Sequence, residues 1–316
     1  MSESTKTELS QLCKFVGSRV PLWTQGAGGN ISLKDRDMLW IKATGLRLDA
    51  VKSNEGLAQV DFRKMAYRLD TESWSESVAE QKYADLIEST TVKEEGLGRA
   101  SMETGFHARL SKKYVIHFHS LVALLICHEL KKNKPKVSRW LNSATSLKWE
   151  WVEPCRPGWI LSKRVSGDAS IFFLESHGVI LQSENSELLE AWEVLEKRFC
   201  QDFNYLELYE LLASPLDFQD LFARYASHCI PFKCYFPDVA VFQERLTKLL
   251  HRNKLDLFEF PLNTVQRDKD MAELWLATQI LFKICPGFEE VPQQIAIEVK
   301  DLPTEKLRQQ SGLRNV

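Results

Sequence analysis

Apolar positions recur along this chain in several distinct rhythms. From Leu9 to Val20 they return at helical spacing. From Ser186 to about Leu212 they do so again, with Leu188, Leu189, Trp192, Leu195 and Phe199 on one side, which predicts a helix with a core-facing stripe. Shorter runs at Ile31–Leu33 and Met38–Lys42 flank Lys34-Asp35-Arg36-Asp37 and predict a hairpin. Val115-Ile116-His117-Phe118-His119 is β-branched and apolar between its histidines, as in a strand. The run from Ile171 to Ile180 breaks at Ser176-His177-Gly178 and resumes, as at a tight connection between strands. Ser120 can cap a helix through Glu129, and the lysines at 131, 132, 134 and 136 mark its solvated end. Trp149 to Trp159, with Pro154, Pro157 and Gly158, reads as strand plus loop. Ser53 to Glu95 is polar with some helical periodicity and reads as a flap or an interface segment. Beyond a break at Ser214-Pro215-Leu216, Tyr235 to Phe242 reads as a loop entering a strand. Met271 to Cys285 reads as an amphipathic helix stopped by Pro286-Gly287, and a charged tail follows Leu302.

Composition narrows the class. A chain of 316 residues, 44% hydrophobic and 27% charged, is an ordinary globule of one large or two modest domains. A net charge of −2 gives no nucleic-acid signature, and no apolar run approaches the length of a membrane span. The seven cysteines are scattered without Cys-x-x-Cys spacing, and Met1 to Lys6 lacks an apolar signal core. Both features predict a cytoplasmic protein with reduced thiols. Cys229 and Cys234 are too isolated to hold a metal.

The chemistry concentrates at three places. Side chains alternate along a strand, so His117 and His119 share a face. With His177 as a third imidazole, one coordination position is left open, the pattern of a catalytic zinc. Upstream, Arg99 to Leu110 reads as the start of a helix with Ser101 at its cap and with Glu103 and His107 on one face. A carboxylate this near a metal site can be a ligand or a general acid/base; the blander role is to favour a helix N-terminus. Gly26-Ala27-Gly28-Gly29-Asn30 joins a helix to a hairpin, which is neither a P-loop nor a dinucleotide context. Its bare N–H groups, with Asn30 and Thr44, could cradle an anion.

These residues resemble the class II aldolase/adducin family, which includes L-fuculose-phosphate, L-rhamnulose-phosphate and ribulose-phosphate enzymes. The resemblance runs in the family's order through Gly29-Asn30-Ile31-Ser32, Thr44-Gly45, Ser101 to His107, His117-Phe118-His119 and His177-Gly178. It implies an α/β fold of three layers, α/β/α, around a central, mainly antiparallel sheet. A class II aldolase-like domain over 1–212 would be followed by a mainly helical C-terminal extension over 213–316. It implies Zn2+, or another divalent transition metal, on His117, His119 and His177, with Glu103 as acid/base. Gly29, Asn30, Thr44, Gly45 and Ser101 would bind the phosphate of the substrate, and His107 would orient the site from behind. The implied activity is zinc-dependent aldol cleavage or condensation of a sugar or sugar phosphate through an enediolate. A homo-oligomer is implied as well. A same-family epimerase or dehydratase shares the ligands and stays open. The intact histidines argue against a non-catalytic adducin-like interaction protein. A Schiff-base aldolase using Lys42 or Lys148 is disfavoured by the context of both lysines.

The chain also departs from the family. Ala27-Gly28 replaces the usual Thr-Ser, so two hydroxyl donors are missing from the implied phosphate loop. Ser120 and Met102 stand where proline and a second serine are common. Lys42 and Arg47 could supply charge in place of the lost hydroxyls.

Overall fold

The computed structural model describes residues 3–214, 217–225, 233–242 and 266–302. Its centre is a sheet of seven strands. They are β1 (Asn30–Asp35), β2 (Met38–Lys42), β3 (Leu57–Asp61), β4 (Tyr114–Phe118), β5 (Trp149–Val152), β6 (Ile171–Leu174) and β7 (Gly178–Ser183). Their order is β3-β2-β1-β4-β7-β6-β5, and only the β5–β6 pair is parallel.

Period-two alternation distributes the side chains to two faces. On one face Ile31, Leu33, Ile116, Phe118, Ile171, Phe173, Val179 and Leu181 meet the helices Glu3–Gly17, Leu121–Ala144 and Leu188–Asp202. On the other, Leu39, Ile41, Ala58 and Val60 meet the helices Phe62–Thr71 and Glu76–Thr90. On that same face Val115, Phe172, Leu174 and Ile180 pack with Phe106 and Leu161 of the helices Thr104–Arg109 and Trp159–Arg164. The result is the expected three-layer α/β/α arrangement with a mainly antiparallel sheet.

Several elements differ from the sequence expectations. Residues 53–95 are built into the fold and are no flap: they supply edge strand β3 and two helices of one layer. The helix begun at Ser120, whose hydroxyl accepts from Ala123 N–H, continues past Glu129 to Ala144. Asn133 leaves helical geometry there and its side chain accepts from Lys136 N–H, so a second helix starts with Pro135 in its first turn. The pattern from 186 to 212 is two helices, Leu188–Asp202 and Leu206–Ala213, parted at Asn204, which adopts a left-handed φ of 61°.

The C-terminal region is mainly helical. Residues 237–242 are helical, not a strand; Pro237 sets the helix start, and local β-branching at Val239 and Val241 yields to burial. Within the helix Gln266–Ile284, every residue from Met271 to Leu281 is buried, while Lys283 near its end is exposed. From Met271 to Leu281 it is therefore a core segment with no solvated face, where the sequence predicts an amphipathic helix. Its Leu274, Trp275 and Leu276 join the same apolar cluster as Trp23 and Phe118. Pro215, Leu216, Cys229 and the tail from 303 lie outside the described residues. No described helix is long and apolar enough to cross a membrane.

Candidate metal centre

The histidines reach one another through strand geometry. His117 lies on β4 opposite Ile180 of β7 and Asn30 of β1, and His119 follows the end of β4 directly. His177 closes the β6–β7 turn, where Ser176 has φ 58° and His177 N–H donates to the Leu174 carbonyl. Gly178 must be glycine there: an added Cβ would lie 2.4 Å from the Phe118 carbonyl oxygen and 2.9 Å from His119 Cα. The three ring centroids stand 4.9–5.2 Å apart, and all three side chains are buried. Ligand atoms from the three lie within 4.8 Å of one another, the only such group of histidine, cysteine or carboxylate side chains found among the described residues.

Glu103 faces this cluster. Its Oε1 is 3.5 Å from His117 Nε2 and 3.3 Å from His177 Nε2. Asn30, which the register puts on the His117 face of the sheet, donates its amide to Glu103 Oε2 (2.5 Å) and to Ser101 Oγ (3.2 Å). Ser101 Oγ also accepts Glu103 N–H, so the serine caps a turn that begins the helix just after Glu103. Tyr83 fixes the same turn: its hydroxyl donates to the Met102 carbonyl and accepts from Gly105 N–H. Burial alone would raise the Glu103 carboxyl, but the facing imidazoles of His117 and His177 hold it well below the usual range. Burial likewise pulls His117 down, and Glu103 outweighs it, leaving the imidazole above its ordinary value.

His119 turns its Nδ1 to Asp238 Oδ2, 3.5 Å away and contributed by the C-terminal region. Burial pushes His119 down to about 3, and the neighbouring imidazoles of His117 and His177 add to it against the pull of Asp238. Sequence reasoning missed Asp238, and no local pattern marks it. Gly28 makes room for this pairing, since a Cβ there would meet the His119 ring at 2.9 Å and Asp238 at 3.0 Å. His107 lies farther back, with Nδ1 on the Ser32 hydroxyl at 2.7 Å and its ring stacked on Phe106; burial and the charge of His117 keep it neutral.

The implied anion positions are largely engaged within the protein. Thr44 N–H donates to the Arg99 carbonyl, and the Asn30 amide serves Ser101 and Glu103. Gly45 (φ 80°) has open space where a Cβ would stand. Lys42 is deeply buried, and its Nζ donates to the Ala27 and Leu46 carbonyls. Arg47 pairs with Asp49, Asp270 and Glu273. Lys148 is exposed and paired with Asp168 at 2.5 Å. The charge of Arg47 is thus met by carboxylates within the protein.

Comparison with known proteins identifies relatives of this chain. The family model of the class II aldolase and adducin N-terminal domain matches residues 8–198. A Bacillus subtilis protein described as the uncharacterized oxidoreductase YuxG is 25% identical over 197 residues, 57% of this chain. The chain matches only 27% of that relative's length. Among solved structures, the N-terminal class II aldolase domain of a Thermoplasma acidophilum protein aligns with 63% of this chain and 92% of its own, at 20% identity and a TM-score of 0.48. An L-fuculose-1-phosphate aldolase from Thermus thermophilus aligns with 65% and 98%, at 13% identity and a TM-score of 0.42.

Proposed function

This chain belongs to the class II aldolase and adducin family, and on that footing we propose that it is a metal-dependent aldehyde-lyase acting on a sugar or sugar phosphate. The donor set fits a divalent ion. His117 Nδ1 is engaged by the Val179 carbonyl at 2.9 Å, while its Nε2 is buried without a hydrogen-bond partner and turned toward Glu103. Three imidazoles suit zinc or another divalent transition ion. His117, His119 and His177 would hold it, and bound there it would act as a Lewis acid toward an oxygen that gains negative charge.

One observation carries the reading: a buried carboxylate, Glu103, stands between two of the three imidazoles and is fixed by Asn30. A carboxylate held ionised at the edge of such a site is equipped to take a proton and to return it to carbon. Asn30 and the Ser101 turn orient it, so that little rearrangement precedes proton transfer. Burial of all these groups keeps water from competing for the same proton.

The test is fragment release from a panel of ketoses and ketose phosphates, read by a coupled aldehyde reductase with and without chelator. Release that chelator abolishes supports the lyase. Isomer formation without a fragment makes the protein an epimerase on the same residues, and turnover indifferent to chelator overturns the metal.

A further inference from the structure

We propose that the helix Gln266–Ile284 seals the anion-binding side of this site with its own carboxylates, so that the substrate's non-reacting end is bound as an uncharged hydroxylated group and not as a phosphate ester. The inference deepens the lyase reading and rests on it for the reacting end.

Two donors on the glycine-loop side converge as they would on an anion. Gly26 N–H reaches Glu273 Oε2 at 2.7 Å, and Arg47 Nη1 reaches the same oxygen at 2.9 Å. A backbone N–H and a guanidinium meeting at one oxygen is the donor geometry that recognises carboxylate or phosphate. Here the protein supplies the acceptor. Asp270 takes Arg47 Nη1 as well, at 2.6 Å, and Asp49 takes its Nε at 3.1 Å. Arg47 therefore meets three carboxylates, while Lys42 Nζ sits on the Ala27 carbonyl of the same loop. Arg47 and Glu273 are largely buried, with side chains 14% and 9% exposed, so their charges are weakly screened.

The loop links this cluster to the metal centre. Gly26 lies against Asp270, where an added Cβ would stand 3.0 Å from the Asp270 Cβ, and two residues on Gly28 lies against His119. A phosphate dianion arriving on this side would meet the Glu273 and Asp270 carboxylates and donors already engaged by them. A sugar hydroxyl carries no charge and can donate to the same carboxylates. The loop's own sequence agrees, since Ala27 and Gly28 offer no side-chain hydroxyl.

The experiment uses the full chain and inorganic phosphate as probe, titrated by calorimetry. Wild type is expected to bind phosphate no more tightly than about 10 mM, and Glu273→Ala, which removes the acceptor from Gly26 N–H and Arg47, at least about tenfold more tightly than wild type. Asp270→Ala, which removes a second acceptor from Arg47, provides the second variant should Glu273→Ala fail to fold. Submillimolar phosphate binding by wild type overturns the proposal, and so does the absence of any gain in both variants. In a second arm, a free ketose is expected to be cleaved in preference to its 1-phosphate; the reverse preference overturns the proposal. Cleavage of neither, with the phosphate pattern intact, removes the lyase reading and leaves the sealed anion side standing.

Discussion

The region matched over 8–198 and the C-terminal region meet at one site with unequal shares. The first brings the three imidazoles, the Glu103 carboxylate, the Asn30 amide and a glycine loop; the second brings carboxylates alone, those of Asp238, Asp270 and Glu273. They differ in construction too. Strands β1, β4 and β7 bury alternate residues in different layers, so each side chain's address follows from its parity. Residues 271–281 of the helix Gln266–Ile284 are buried on every side, so nothing in their periodicity says which residue faces the loop. Core-building and site-shaping are thus merged in the C-terminal region and separated in the sheet.

The merger has a large consequence for stability. Trp275 is buried and packs 5.4 Å from Phe222, within the cluster that also holds Phe118 and Trp23. Trp275→Ala is expected to cost about 3–5 kcal/mol. Calorimetry should show the whole described structure melting in one transition at lower temperature. A separate, low-temperature transition with the rest unmoved would break the comparison in favour of an independent module.

Within the site the two regions should be separable by what they change. Glu103→Gln is expected to lower turnover by roughly a hundredfold or more with fold and metal content intact. Full turnover would return Glu103 to a helix-start charge worth under about 1 kcal/mol. Asp238→Asn is expected to act on the metal: competition with a chromophoric chelator should show affinity reduced about 10–100-fold, as when a carboxylate behind a ligating imidazole is lost. Unchanged affinity would make Asp238 a mere neighbour of His119.

A further expected effect lies in the matched region and concerns pH. Glu196 is buried with both carboxyl oxygens 2.9 Å from Trp23 Nε1, and burial lifts its carboxyl to about 8. Between the ordinary carboxylate range and that value the folded state keeps a proton that the unfolded chain has released. Stability therefore falls as pH rises through this window, by at most about 1.4 kcal/mol per pH unit. Glu196→Gln should flatten the fall in Tm between pH 5 and 8, and an unaltered slope would assign it to other groups.

Legibility in the sequence follows the same division. His117 and His119 were readable because a strand has period two, and His177 because Ser-His-Gly interrupts an apolar run. The role of Asn30 follows once β1 is paired to β4 in register, which the hairpin pattern alone does not reveal. Asp238 and Glu273 were not readable: their partners, His119 and Gly26, are remote in sequence. Residues 237–242 show why local signals mislead here. Val239 and Val241 favour a strand by propensity, while Pro237 and complete burial at 238–241 give a helix.

The most direct test of the metal-centred account is elemental analysis of purified wild type beside His117→Ala. The account predicts about one divalent transition ion per wild-type chain and less than about a tenth as much in the variant, with an unchanged circular dichroism spectrum. A substoichiometric metal content that His117→Ala leaves unaltered would contradict it.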